Sequence, residues 1–313
     1  MKRILTIIAA VTMLVAGLAA QTKTLVTLSH EGELSFFDGV SQLDDAISAS
    51  ADGDVIYLSD GKFGTAGTSL KITNKKISIV GNGYNSHILS NVYFAHNKGV
   101  NIELDAPLFD GLRLEKITFS NGFNEVEVKK CYIKEFSAEN AYNILLDRCY
   151  LEKYENLYST DKTIKIINCK IDTSYPSIRE VFENCNIALM DHWNGSYVVN
   201  SIIKEVNGGG NQTTNGIYEN CLIGSKVSDV TEEYRNCYEL TEAADILDDN
   251  LECTIDDMSE YVGTDGTVIG VYGGEWFPYS ETPSVPTVDS ANSSVVYDKE
   301  NNQLNVTITV APN

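Results

Sequence analysis

Seven short segments of this chain repeat one spacing, and that repetition limits the folds open to it more than any other feature. The segments are Val128–Ile133, Leu146–Leu151, Ile166–Ile171, Phe182–Ile187, Val198–Ile203, Tyr218–Ile223 and Tyr234–Glu239. Each opens on an apolar or aromatic residue, places a small residue three positions on, and usually ends on Ile or Leu two positions later. The small residues are Cys131, Cys149, Cys169, Cys185, Ser201, Cys221 and Cys237, separated by 18, 20, 16, 16, 20 and 16 residues. A period of this length signals stacked supersecondary units that cannot bury their apolar faces alone. The two-residue step from Cys to Ile or Leu points both inward from an extended strand, with polar residues between them facing out. A helical repeat needs apolar residues at three-and-four spacing over longer windows.

Coiling such units so that each turn lies about 4.8 Å above the last gives every strand a parallel partner and one dry core. The expected fold is therefore all-β, a right-handed parallel β-helix. Like residues then stack. Asn168, Asn184, Asn200, Asn220 and Asn236 precede the small residue in five segments. They are expected to form a ladder at a bend, where Asn tolerates left-handed geometry and its amide bonds along the stack. Ser201 in the cysteine column indicates selection for size, because buried Cys behaves as a small hydrophobe. In-register side chains point the same way, so a reduced structural ladder is favoured over disulfides. No cluster of thiols, or of Cys with His at short spacing, suggests a metal site.

The N-terminus sets the expected compartment. Lys2 and Arg3 precede an apolar run from Ile4 to Ala20 that closes on Gly17, Ala19 and Ala20, the pattern of a cleaved signal peptide over residues 1–20. The run is short for a membrane anchor, and no Cys stands near the cleavage point to take a lipid. A secreted, periplasmic or cell-surface protein without membrane insertion is expected. Removing the signal leaves 21 basic against 44 acidic residues, a formal charge of −23. Such a field repels phosphate backbones and anionic lipid, which argues against nucleic acid as a partner. It handicaps polyanionic sugars too, unless a cation bridges them.

Upstream of the ladder, Leu43 to Ile47 reads as a short amphipathic helix, followed by strands at Val55–Leu58 and Leu70–Val80 broken by Gly81 and Gly83. A stack needs such a cap at its open end. This order resembles the N-terminal cap and first coils of pectin-lyase-like β-helix proteins, and with the ladder the resemblance covers roughly residues 35–275. Residues Gly263–Gly274 resemble the closing coil of secreted β-helix proteins from Bacteroidetes. The resemblance implies a fold that hosts lyases, hydrolases, esterases, adhesins and scaffolds, so function must be argued from the site. The resulting domain organisation is a β-helix with its cap over 21–277 and a Pro-containing linker with a C-terminal β-hairpin over 278–313. In the hairpin, Leu304, Val306, Ile308 and Val310 alternate with polar residues, with Ser294–Tyr297 as partner.

Chemistry is sparse. Asp191 and His192 end a string similar to the Trp-x-Asp-His motif of pectate lyases, which would bring Ca²⁺ as cofactor. The family's Arg-x-Pro-x-x-Arg has no counterpart after it, and Ser174–Arg179 lacks the first Arg. The acid pairs Asp44 with Asp45, Asp248 with Asp249 and Asp256 with Asp257 read as solvated turns and caps. One cluster remains, Asp191, His192, Trp193 and Asn194, where an indole face and a polar rim suit a sugar ring. The first expectation is a non-catalytic module that binds glycan or a surface protein, with no cofactor. A polysaccharide lyase or glycoside hydrolase is the alternative, and a structural scaffold the third.

Overall fold

The computed structural model describes residues 24–95, 108–120, 124–139, 142–156, 164–176, 180–192, 195–208, 216–226, 233–240, 245–274, 278–281, 287–298 and 303–311. The chain is a parallel β-helix. One sheet of twelve strands starts with the antiparallel pair Glu33–Phe37 and Val26–His30. Val55–Leu58 joins Val26–His30 antiparallel, and from it the sheet continues in parallel through Ser78–Val80, Phe109–Asp110, Asn124–Lys129, Tyr142–Asp147, Ile164–Ile167, Val181–Glu183, Tyr197–Val199, Ile217–Glu219 and Glu233–Arg235. The second sheet begins with Gly61–Phe63 and Ser69–Thr73, which both pair with Ser86–Ala95. It proceeds through Arg113–Ser120, Tyr132–Glu139, Tyr150–Glu155, Lys170–Tyr175, Asn186–His192, Ile202–Gly208, Leu222–Lys226 and Tyr238–Glu239.

Each repeat turns the corner between the two sheets. Its first residue belongs to the first sheet, where Val128, Leu146, Ile166, Phe182, Val198, Tyr218 and Tyr234 stand in register. Its last belongs to the second, where Ile133, Leu151, Ile171, Ile187, Ile203, Ile223 and Glu239 do the same. The small residue sits at the corner, one place before the strand rather than inside it. The residue before it is left-handed every time, with φ of 49° at Asn168, 53° at Asn184, 51° at Asn200, 48° at Asn220 and 50° at Asn236. Lys130 and Arg148 take the same conformation in the two earlier repeats. Asn recurs because it visits this region at low cost.

The ladder of small residues is free thiol, and Cys131, Cys149, Cys169, Cys185 and Cys221 are buried. Hydrogen bonding explains why Ser201 fits among them. Cys169 Sγ donates to the Ile167 carbonyl two residues back at 3.2 Å, and Ser201 Oγ donates to Val199 in the same way at 2.8 Å. The slot supplies an acceptor for either side chain. Around it, Ile, Leu, Val and Phe form one continuous core from Val26 to Ile223.

The N-terminal end is closed by the helix Gln42–Ala49, which buries Leu43, Ala46 and Ile47 on the face toward the core and exposes Asp44 and Asp45. Those acids lie in the first turn, where the helix dipole favours them. Lys75 Nζ donates to the carbonyls of Ile47, Ser48 and Ser50 at the other terminus, satisfying groups the helix leaves unpaired.

Residues 263–274 correct the expectation of a closing coil. They add no strand to either sheet; 245–274 hold only the isolated bridges Leu247 to Cys253 and Val262 to Val268. Instead the chain runs back along the outside of the corner as a strap. Lys204 meets Asp245 at 2.7 Å, Asn186 Nδ2 donates to Leu251 O at 2.8 Å, and Thr264 N donates to Asn200 Oδ1 at 2.9 Å. Asn168 Nδ2 donates to the carbonyls of Val271 and Gly273 at 3.0 and 2.9 Å, and Tyr279 reaches Tyr84 at 3.0 Å. The amides of Asn168 and Asn200 thus bind the strap rather than one another, while the buried Asn184 amide has no hydrogen-bond partner. The reason is apolar. Ile202 and Leu222 face outward from the second sheet and pack with Ile246, Leu247, Leu251 and Ile269 in a second core. Thr287–Asp298 and Gln303–Ala311 form the C-terminal hairpin, with an irregularity between Asp289 and Ser294.

Candidate functional site

The strap covers one outer flank, so accessible chemistry lies farther along each strand of the second sheet. There Ser137, Glu155 and Tyr175 stand in one outward column, paired rung by rung. Ser174 pairs with Met190, which carries the column on to Asp191, and Asp191 pairs with Asn207. All five side chains are half-buried. Lys153 lies beside the column, 3.0 Å from Glu155 and 5.4 Å from the centre of the Tyr175 ring. Its charge is therefore used locally. Partial burial raises the Asp191 carboxyl above the ordinary carboxylate range. Of the cluster expected from sequence, Asp191 lies on this face and His192 closes its strand. The His192 side chain, Trp193 and Asn194 lie outside the described residues.

A second arrangement was not singled out from sequence. Tyr132 and Tyr150 stack on successive rungs, centroids 5.1 Å apart and planes within 8°. Each donates its hydroxyl one rung upward, Tyr132 to Glu152 and Tyr150 to Asp172 at 2.9 Å. Burial, and secondarily the Glu152 charge, raises the Asp172 pKa against the hydrogen bond from Tyr150. Burial and the Glu152 bond push the Tyr132 hydroxyl up to about 12. The Arg113 guanidinium lies 4.7 Å from the centre of the Tyr132 ring. The repeat carried the signal: Tyr132 and Tyr150 directly follow the small residue and Asp172 is three places beyond it, positions that alternation turns outward.

Polar side chains interrupt the core beside Tyr154. Asn156 donates to Glu180, and Tyr154, fully buried, is held far above its usual pKa by burial and by Glu180. Ser174 pairs beside Tyr154, and its buried hydroxyl makes no hydrogen bond. Among the described residues no three His, Cys, Asp or Glu side chains are grouped to hold a metal ion. None of the described helices is long and apolar enough to cross a membrane. No family model matches the chain, and neither the curated proteins nor the solved structures compared with it give a match.

Proposed function

We propose that this chain is a secreted, pectin-lyase-like β-helix protein that binds an extended, uncharged glycan along its axis without cleaving it. The outward column Ser137, Glu155, Tyr175, Asp191 and Asn207 carries this reading. Successive coils repeat polar side chains at about 4.8 Å, a step that suits sugar residues in an extended chain. Tyr175 supplies an aromatic surface for a sugar ring. Lys153 is engaged by Glu155 and Tyr175, which leaves little attraction for a uronate.

A glycan array and a depolymerisation panel, each with and without Ca²⁺, test the reading on residues 21–313. Binding without new chain ends, weakened at least tenfold by Tyr175→Ala, supports it. Unsaturated products that need Ca²⁺ would establish a lyase in its place. A glycosidase is the second reading, favoured by Glu152 and Asp172 on neighbouring rungs with the Asp172 pKa raised. Retaining enzymes hold two carboxyl groups about 5 Å apart, one of them protonated. New reducing ends abolished by both Glu152→Gln and Asp172→Asn would select it.

A further inference from the structure

The outward column that carries Tyr175 does not stop at Ser137. Ser137 pairs with Thr118, Thr118 with Tyr93, and Tyr93 with Lys71, so the same row runs on through three earlier strands. Tyr93 is 37 % exposed, the only exposed large hydrophobic side chain on a strand of the second sheet among the described residues. It stands four rungs from Tyr175, with Thr118, Ser137 and Glu155 between them. At about 4.8 Å per rung the two tyrosines lie about 19 Å apart along the axis. The floor between them is low and balanced in charge. Thr118 and Ser137 are short, Glu155 holds Lys153 at 3.0 Å, and Lys116 and Glu135 in the adjacent column bind each other at 2.7 Å. The charged residues Lys71 and Asp191 fall outside the tyrosines, one rung beyond each.

We infer that Tyr93 and Tyr175 are the two end contacts of one site for an uncharged β-1,4-linked hexose chain, which must be at least five residues long to reach both. This rests on the glycan binding proposed above and adds to it the linkage and the length. An extended chain that advances one sugar per rung sets its first residue on Tyr93 and its fifth on Tyr175. The β-1,4 linkage turns alternate residues over, so the first and the fifth present the same flat C–H face to the protein. Each then meets an aromatic surface. The three central residues lie over Thr118, Ser137 and Glu155, whose side-chain oxygens bond sugar hydroxyls. Either tyrosine alone is a weak contact. Joined by one chain, the second contact forms at the effective concentration that the first one sets. A uronate chain gains little here, because the lysines beside the floor are bound to glutamates.

The test is calorimetric titration of residues 21–313 with cello- and manno-oligosaccharides of two to eight residues. Affinity is expected to climb steeply up to the pentasaccharide and to level off beyond it. Tyr93→Ala is expected to weaken the pentasaccharide about tenfold and the trisaccharide less than about twofold, because a trisaccharide reaches one tyrosine at a time. Tyr93→Phe keeps the ring and is expected to bind as wild type does. The altered side chain is exposed, so folding is preserved, and circular dichroism checks it. Affinity that already levels off at the trisaccharide overturns the two-contact site and leaves glycan binding at Tyr175 standing. So does a pentasaccharide that is weakened by Tyr175→Ala and indifferent to Tyr93→Ala. Binding confined to other linkages on the glycan array overturns the inference alone, whereas no binding to any glycan overturns the proposed function and the inference together.

Discussion

At the N-terminal end, Leu43, Ala46 and Ile47 lie over the first coil and the outermost strand, Glu33–Phe37, is short and pairs antiparallel. At the other end, Tyr234 and Cys237 remain partly uncovered, although their equivalents one coil below are fully enclosed. The middle coils are nearly interchangeable in register and burial, so what distinguishes the ends is not local strand-forming capacity. It is whether, among the described residues, an element outside the repeat lies over the last rung. In a solenoid each coil contacts only its neighbours, and stability sums over interfaces. An uncapped rung lacks one of its two interfaces and is expected to fray first.

Thiol chemistry gives the largest contrast, between the last described coil and the middle ones. Burial raises the pKa of Cys131, Cys169, Cys185 and Cys221, and a thiol reacts as its thiolate. Cys237 occupies the same column in the last described coil, partly exposed. Alkylation of the native protein should modify Cys237 at least ~10³ times faster than the buried members, which react only through opening. Peptide mapping by mass spectrometry reads the order. Equal labelling of Cys149 and Cys237 would mean that the last described coil is no less stable than a middle one.

Next in size is the cap itself. Leu43 is 1 % exposed and joins the main core. Leu43→Ala should cost about 3 kcal/mol, by lost burial and the cavity left behind. The loss should appear in chemical denaturation, with hydrogen exchange rising first at Val26–His30 and Val55–Leu58. A change below about 1 kcal/mol would show that the helix is an ornament and that the first coil closes itself.

The strap supplies a third perturbation. Asn168→Gly keeps a residue that accepts positive φ and deletes the amide that serves Val271 and Gly273. Two buried carbonyls lose their donor, at a cost of about 1–3 kcal/mol. Exchange should rise over 268–274 and not at Glu233–Arg235, because the strap fastens a flank rather than an end. Faster exchange at the last coil would break that separation.

These regions also differ in how far the sequence disclosed them. The repeat was legible because period, inward alternation and the Asn corner each follow from one parallel rung. The capping helix was legible because Leu43 and Ile47 share a helical face above acidic neighbours. Residues 263–274 misled because glycine-punctuated apolar segments suit a coil and a strap equally. What separates them is the outward Ile202 and Leu222, whose need for cover becomes plain only when the facing of each rung is known. The expected binding cluster was located in part, at Asp191. Tyr175 and Asn207 join it only through rung-to-rung register, which no local motif records. The Tyr132 and Tyr150 ladder escaped for the same reason.

The smallest expected effect belongs to the closed end and is read by pH. His30 Nδ1 lies 2.7 Å from the buried Asp54 carboxylate, joining the end of the first strand to the turn before Val55–Leu58. The hydrogen bond to Asp54, then its charge, raises the His30 pKa above 6.5. A raised histidine pKa means that the folded state binds the proton more tightly than the unfolded chain does. The stabilisation is complete below about pH 6.5 and declines as pH rises through the folded value. His30 is largely solvent-exposed, so solvent and salt weaken the pair and the effect should be slight. Exchange at the amides of Ala51 and Asp54 should quicken between about pH 6 and pH 8 beyond the intrinsic base-catalysed trend, and His30→Gln should abolish that excess. The last coil holds no histidine among its described residues, so the same titration should leave its excess exchange flat. An equal change at both ends would mean that the pH response belongs to the charge of the whole solenoid and not to its cap.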